Sequence, residues 1–369
     1  YEAATERAME LFDYDDLRRE QDERRERGDP VQIGIGISTY TEMCGLAPSR
    51  WLARTGYVAG GWEAATVRVL PLGKVEVVTG TSPHGQAHET TFAQIAADAL
   101  GVPFEDVIVV HGDTRTAPLG LDTYGSRSLA VGGMAIVEAG KKVIEKARAL
   151  AAHQLECDVS DVEFSGGTFS VRGSPESSKT IQELAFASFV AHDLPDGAEP
   201  VLAADAVMDP EVFSYPHGTH LAMVEVDTET GAVELTRYVA VDDVGKVINP
   251  LVVEGQVHGG VVQGIAQALY EEAAYDEDGN LVTGTFVDYL VPGAPDVPTI
   301  ITDRTETPAT TNPLGVKGVG EAGAIASTPA VVNAVVDALR PMGVQDVRMP
   351  TSPQHVWDAI NDASKGGAA

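Results

Sequence analysis

The residues best placed to do chemistry lie in short glycine-containing runs. Glu321 stands in Gly318-Val319-Gly320-Glu321-Ala322-Gly323, where small neighbours would let a substrate or metal approach the carboxylate and partial burial would tune it as a general base. The same place suits a glutamate that merely stabilises a helix N-terminus through the dipole. His84 and His88 stand four apart beside Glu89, but the order is not the His-Glu-x-x-His of a zinc helix, and Gly85 disfavours a helix there. Gln86 and His88 therefore read as hydrogen-bond donors to an oxo or phosphate oxygen, not as metal ligands. Arg127 offers a planar fork suited to phosphate, with an ordinary surface salt bridge as the alternative.

These residues fall in three loops, 84–89, 123–127 and 315–323, each expected at or close to a helix start, where free backbone N–H groups face an anion. Together they suggest a phosphate-bearing ligand, although none matches Gly-x-Gly-x-x-Gly after a strand or Gly-x4-Gly-Lys-Ser/Thr. Strands are expected over 32–40, in a hairpin over 67–79 about Pro71-Leu72-Gly73, and over 107–110. A helix starting just after Glu89 would carry Phe92, Ile95, Ala96, Ala99 and Leu100 on one stripe. The loop 113–124 leads into a small-residue helix continuing to about Ala152, 162–171 reads as a hairpin, and Thr180-Ile181-Gln182-Glu183 has capping-box spacing.

Further on, strands over 221–227 and 233–242 precede Asn249-Pro250 and a helix punctuated by Gly255, Gly259, Gly260 and Gly264, where missing side chains permit close packing or ligand approach. The stretch 281–291 reads as a strand, and Thr328-Pro329 and Ser352-Pro353 read as helix starts. The pattern predicts an α+β fold of mixed sheets with flanking helices. Its expected division is a charged helix or linker over 1–30 with apolar contacts near Met9, Phe12 and Leu17, a first lobe over 31–195, and a second over 196–369 that carries the Glu321 loop.

The chain has 369 residues, 44% of them hydrophobic, enough for a substantial core and long enough to favour two lobes. It carries 55 acidic against 25 basic residues for a net charge of -30, which argues against nucleic acid as a partner. With 8 Lys and 17 Arg, this acid-rich, Lys-poor balance fits a protein kept soluble in high salt. No run approaches the roughly 20 uninterrupted apolar residues of a membrane span, and the N-terminus lacks a signal-peptide pattern, so a cytoplasmic setting is expected. Cys44 and Cys157 form no Cys-x-x-Cys pair, so any iron–sulfur centre is expected on another chain. The first residue is Tyr1, and further chemistry is expected upstream of it.

From Gly36 through Tyr40-Thr41-Glu42-Met43-Cys44-Gly45-Leu46 to Ser49 the chain resembles aerobic carbon monoxide dehydrogenase-type large subunits of the molybdenum hydroxylase, or xanthine oxidase, family. The likeness continues through His84 to Thr91, Asp122 to Ser128, Val247 to Pro250 with Glu254 to Gly260, and Lys317 to Gly323, in the family's order and over nearly the whole chain. The chain is thus similar to the C-terminal, two-lobed, molybdopterin-binding part of such a subunit. The resemblance implies molybdenum held by the dithiolene of a molybdopterin, in its cytosine dinucleotide form, with no protein metal ligand. It implies that Gln86, Ala87 and His88 contact the pterin and the metal's oxo group. Thr123, Tyr124, Gly125, Ser126 and Arg127, with Asn249 and Gln256, would bind phosphates and base, and Lys317, Gly318, Val319 and Gly320 would join the cofactor contacts. Many relatives have Gly where Ala87 stands, and a methyl group there tightens the backbone's approach.

Glu321 matches the family's general base, which takes a proton from a molybdenum-bound hydroxyl so that the oxygen can attack an electron-poor carbon. Electrons then leave to [2Fe-2S] and FAD on partner subunits. The implied partners are an FAD-binding medium subunit, a [2Fe-2S] small subunit and the remaining N-terminal part of the large subunit, in a dimer of heterotrimers. Copper, present in members that oxidise carbon monoxide, would need an upstream Arg-Cys-Ser-Phe loop, and neither Cys44 nor Cys157 stands in that motif. Other members use aldehydes or N-heterocycles, so the substrate stays open. The competing readings are a non-catalytic nucleotide- or anion-binding module and a fragment unable to hold cofactor alone.

Overall fold

The computed structural model describes residues 1–46, 48–117 and 119–366, and the chain divides into two compact units, each assembled from separate stretches of sequence. The first unit comprises Tyr1–Glu42, Tyr215–Pro308 and Val319–Ala369. Its sheet has the order β1-β9-β10-β11, from Val31–Thr41, His217–Asp227, Val233–Asp243 and Ile300–Thr305. β1 and β9 pair antiparallel from Val31↔Asp227 to Thr41↔His217, β10 is antiparallel to β9, and β11 is parallel to β10.

Alternation in Ile33-Gly34-Ile35-Gly36-Ile37 decides what covers each face of this sheet. Ile33, Ile35 and Ile37 enter a core with Leu221, Val239 and Val241 under helix α1 (Glu2–Phe12), which buries Ala4, Ala8 and Phe12. The opposite face has no side chain at Gly34 and Gly36, so helix α8 (Ala322–Leu339) lies directly on the strand. A Cβ at Gly34 would sit 1.9 Å from the Ala334 carbonyl oxygen. Helix α7 (Pro250–Leu269) packs on α8, and α9 (Pro353–Gly366) adds Val356 to the same core. Helix α2 (Tyr14–Glu26) follows a left-handed residue at Asp13, and its buried Gln21 donates to the Ile33 carbonyl at 2.8 Å and to Asp337 at 2.7 Å.

The second unit comprises Met43–Ser214 and Ala309–Gly318. After the short α3 (Ser49–Leu52), its main sheet has the order β4-β3-β2-β8, from Val107–Val110, Val75–Thr79, Glu63–Val69 and Leu202–Met208. The β2–β3 hairpin is antiparallel, whereas β3 and β4 are parallel and joined by helix α4 (His88–Leu100), the crossover that parallel neighbours require. Helix α5 (Met134–Gln154) covers β2 and β8. A second sheet, β5-β6-β7 (Val162–Ser165, Thr168–Val171, Ser174–Thr180), leads into α6 (Ile181–Val190). The Thr180/Glu183 capping box is formed in both directions.

The α+β fold of mixed sheets with flanking helices is as expected, but three expectations give way. The sequential boundary near residue 195 is not where the units divide: β1 joins the sheet of β9 and β10, and β8 pairs with β2, because long ladders outweigh nearness in sequence. Over 1–30 the helical reading holds, with Met9, Phe12 and Leu17 in the apolar contacts, and the linker alternative gives way, since α1 is a covering layer of the first sheet. The stretch 281–291 is not a strand; among the described residues it makes one isolated bridge, Tyr275↔Leu281, and the position beside β10 is taken by β11.

Helix α8 also begins six residues before the expected Thr328-Pro329 start, and Pro329 lies inside it. Thr328 acts across the helix pair instead, donating to the Gly264 carbonyl at 3.2 Å and pairing with Gln267 at 2.9 Å. Residues 322–342 are long and apolar enough by length and composition to cross a membrane, but Asn333, Asp337 and Arg340 interrupt the run, and more than half of it is buried, as fits the core helix lying on β1 and β9.

Candidate cofactor-binding site

In the second unit, Ala87 turns the chain with φ 58° and is the N-cap of α4, so the helix begins at His88 and includes Glu89, earlier than expected. No side chain caps α4, which leaves the cap position open to an external acceptor. Gln86 is tied back by its amide to the Ser82 carbonyl at 3.3 Å and accepts from the His84 backbone N–H. His88 is 5% exposed, stacks on Phe92 at 4.5 Å, and its buried Nδ1 has no hydrogen-bond partner among the described residues. Burial, followed by the neighbouring His111 and opposed by Glu89, pulls its pKa down to about 4, so the imidazole is neutral at pH 7. A neutral ring can offer one donor to an oxygen without adding charge.

The second loop is organised by a residue that sequence reading missed. Glu63, fully buried at the head of β2, accepts from the Leu121 and Asp122 backbone N–H groups at 3.2 and 3.1 Å and from Arg127 at 2.9 Å. Arg127, also fully buried, further donates to the carbonyls of Asp122, Gly61 and Trp62. Its expected phosphate fork, and equally the surface-salt-bridge alternative, are therefore corrected: the guanidinium is an interior strut that shapes the loop, with Tyr124 5.2 Å above it. Burial, then a hydrogen bond with Tyr57, pushes the Tyr124 phenol up to about 12.

Asp122 joins this loop to the first. Its carboxylate accepts from the Ser82 hydroxyl and backbone N–H, while Thr123 donates to the Ser82 carbonyl at 2.9 Å and pairs with Ser128 at 2.7 Å. Burial would raise the Asp122 pKa, but these hydrogen bonds outweigh it and lower it. Gly125 and Ser126 follow, both with positive φ. A single isolated acid before an apolar strand, Trp62-Glu63-Ala64-Ala65, was the only sequence signal for Glu63.

The third loop is shared by the two units at Gly318/Val319. In the second, Asn312 brackets Val316 through both side-chain atoms, at 2.9 and 3.1 Å, and Lys317 and Gly318 are buried. In the first, Val319 packs on Tyr40, Ala322 and Ala326, Gly320 is exposed, and Glu321 is the N-cap residue of α8. The expected partial burial of Glu321 is not found within this chain, where its carboxylate is exposed.

Asn249, expected to bind phosphate or base, caps α7 with its side-chain oxygen, which accepts from Leu251 and Val252 N–H at 3.1 and 3.3 Å. Gln256 is half-buried about two turns further on. The glycines of α7 divide into two sets. A Cβ at Gly264 would fall 1.7 Å from Ser327 Oγ of α8, whereas one at Gly255 or Gly259 would meet nothing within 4 Å, so only the second pair leaves backbone open to a ligand.

Beneath α8 lies a polar network that was also illegible in sequence. Tyr40 donates to Asp242 at 2.8 Å, Asp242 faces His220 at 3.2 Å, and the other ring nitrogen of His220 meets the Tyr238 hydroxyl at 2.8 Å. All four residues are buried. Burial first, and the Asp242 charge second, hold the Tyr238 phenol well above its ordinary pKa.

In the second unit, the uncapped start of α4 and the neutral imidazole of His88 suit an anionic, oxygen-rich group. In the first unit, α7 leaves its backbone bare at Gly255 and Gly259. Among the described residues no three His, Cys, Asp or Glu side chains come together as metal ligands. An uncapped helix start of this kind suits a phosphate-bearing ligand. The family model of the molybdopterin cofactor-binding domain matches residues 7–298, and the chain belongs to that family.

The chain is 40% identical over 363 residues to the carbon monoxide dehydrogenase large chain of Hydrogenophaga pseudoflava, covering 98% of this chain and 45% of that protein. Its fold matches the solved reconstituted carbon monoxide dehydrogenase of Oligotropha carboxidovorans with a TM-score of 0.91 and 39% identity, over 99% of this chain and 46% of that one. It matches quinoline 2-oxidoreductase of Pseudomonas putida 86 with a TM-score of 0.89 and 39% identity, over 98% and 45%. The chain thus spans less than half the length of the relatives it resembles.

Proposed function

We propose that this chain is the molybdopterin-binding part of the large subunit of a molybdenum-dependent oxidoreductase, in which Glu321 is the general base. The observation that carries the reading is the start of α4, where among the described residues no side chain caps the helix and His88, neutral and buried, keeps a ring nitrogen without a hydrogen-bond partner. In this reading Gln86, Ala87 and His88 hold the pterin side, and Thr123, Tyr124, Gly125 and Ser126 hold phosphate through backbone and hydroxyl groups. Asn249 caps α7 so that its first turn, Gln256 and the bare faces of Gly255 and Gly259 receive the rest of the cofactor. Lys317, Gly318, Val319 and Gly320 add further cofactor contacts, and Arg127 contributes by shaping the loop from inside.

When bound, the cofactor would supply two-electron oxidation and pass the electrons to redox partners. Glu321, exposed and flanked by small residues, takes the proton from the oxygen nucleophile as it attacks substrate carbon. The cytosine dinucleotide form of the cofactor, an FAD-binding medium subunit, a [2Fe-2S] small subunit and the rest of the large subunit belong to this proposal, in a dimer of heterotrimers in the cytoplasm. The likeness to carbon monoxide dehydrogenase supports them. The likeness to quinoline 2-oxidoreductase at equal identity supports an N-heterocycle as an equal substrate class, and an Arg-Cys-Ser-Phe motif upstream would decide for carbon monoxide and copper.

Metal analysis of the native complex tests the reading. Molybdenum near one per large subunit is expected, and its consistent absence would favour the non-catalytic module. The charge of -30 supports function in high salt, which unchanged thermal stability between low and molar salt would refute.

A further inference from the structure

Cys44 is fully buried in the second unit, held by a backbone pair with Ser214: its N–H donates to the Ser214 carbonyl at 2.9 Å, and the Ser214 N–H returns to the Cys44 carbonyl at 3.2 Å. Its sulfur reaches two separate loops. The Gly318 backbone N–H donates to Sγ at 3.0 Å, and Sγ donates to the Ser126 carbonyl at 3.3 Å. The next residue adds a third tie, from the Gly45 N–H to the Gly125 carbonyl at 3.2 Å.

The approach is so close that a Cβ at Gly318 would lie 2.1 Å from the Ser126 carbonyl oxygen and 2.4 Å from Sγ. Loops more than 190 residues apart in sequence are thus locked in one register by a single thiol that is donor to one and acceptor to the other. Sulfur suits the task because its larger radius accommodates longer contacts on both sides, and the thiol is both a weak donor and a weak acceptor.

We propose that Cys44 is a positioning residue for cofactor binding: it clasps the Gly125-Ser126 loop to Gly318 and holds their backbone groups in the spacing the cofactor requires. The inference rests on the functional reading above. It also explains a cysteine that is neither a disulfide partner nor a metal ligand.

The test uses the native complex with Cys44→Ala and, as the conservative partner that keeps donor and acceptor on a shorter arm, Cys44→Ser. Two quantities are read: hydrogen exchange of peptides spanning residues 120–128 and 312–320, and pterin retained per large subunit during extended dialysis. Loss of a net hydrogen bond predicts exchange in both peptides at least about fivefold faster in Cys44→Ala, at a thermal midpoint near wild type, with Cys44→Ser between the two. Pterin loss is expected to accelerate by a similar factor, with partial rescue by Cys44→Ser. Unchanged exchange in Cys44→Ala overturns the clasp. Faster exchange with unchanged pterin retention shows a structural bond only and overturns the positioning role. A wild-type complex that never contains pterin overturns the functional reading and this role together, and the exchange arm, which needs no cofactor, separates that failure from failure of the clasp.

Discussion

Both units bury charge, but they bury it for different ends. In the second unit Glu63 and Arg127 direct their hydrogen bonds to the backbone of the very loop that carries Asp122 to Arg127, so the ion pair dictates the loop's conformation. In the first unit Tyr40, Asp242, His220 and Tyr238 bond to one another across β1, β9 and β10, so the network ties strands together and leaves the Glu321 segment to be placed by helix packing. A loop that must present backbone groups needs its main chain pinned; a carboxylate at a helix start needs only a rigid helix beneath it.

Changes on either side can break this comparison. The largest effect is expected at the functional end of the first unit: Glu321→Gln should retain molybdenum but lose orders of magnitude in turnover, and near-normal turnover in steady-state assays would exclude Glu321 as the base. In the second unit, Arg127→Met leaves the Glu63 carboxylate buried without its counter-ion and should cost about 3–5 kcal/mol in chemical denaturation, with the 120–128 segment loosening most in hydrogen exchange. Tyr40→Phe removes one donor from Asp242 but keeps the ring against Ala322 and Ala326; a loss of about 1–2 kcal/mol is expected, without loosening of residues 319–323. Loosening there equal to that in Arg127→Met would abolish the distinction between the units.

The smaller effects concern the start of α4. The His88 pKa is about 4 in the folded chain against 6.5 ordinarily, so as pH falls the unfolded chain binds the proton first. Its contribution to stability is complete above about 6.5 and declines toward pH 4, at no more than about 1.4 kcal/mol per unit, and His88→Gln should flatten this part of the stability profile. Ala87→Gly relieves a left-handed residue at φ 58° and should raise the melting temperature slightly, by about 1 kcal/mol of stability at most. A lower melting temperature would show that the methyl group makes contacts worth more than the strain.

Much of the site was legible because its signals are local. Gln86-Ala87-His88 before the α4 stripe, Asn249-Pro250 and the Glu321 run announced helix starts through caps, glycines and periodicity. What misled was also local: Thr328-Pro329 has the composition of a helix start, and 281–291 the composition of a strand, and neither could reveal that α7 and β11 already occupied the neighbouring space. Arg127 was misread for the same reason, because a fork that suits phosphate suits Glu63 equally well, and only burial distinguishes them.

By itself the sequence determined the chemistry on offer: donors at helix starts, one small-flanked glutamate, two cysteines outside any Cys-x-x-Cys pair and the family motifs in order. Tertiary structure alone decided which groups face outward and which are struts. Glu63, Arg127, Cys44 and Asp242 find their partners across tens to hundreds of residues, and such pairings follow from strand register and helix packing, which no local spacing encodes.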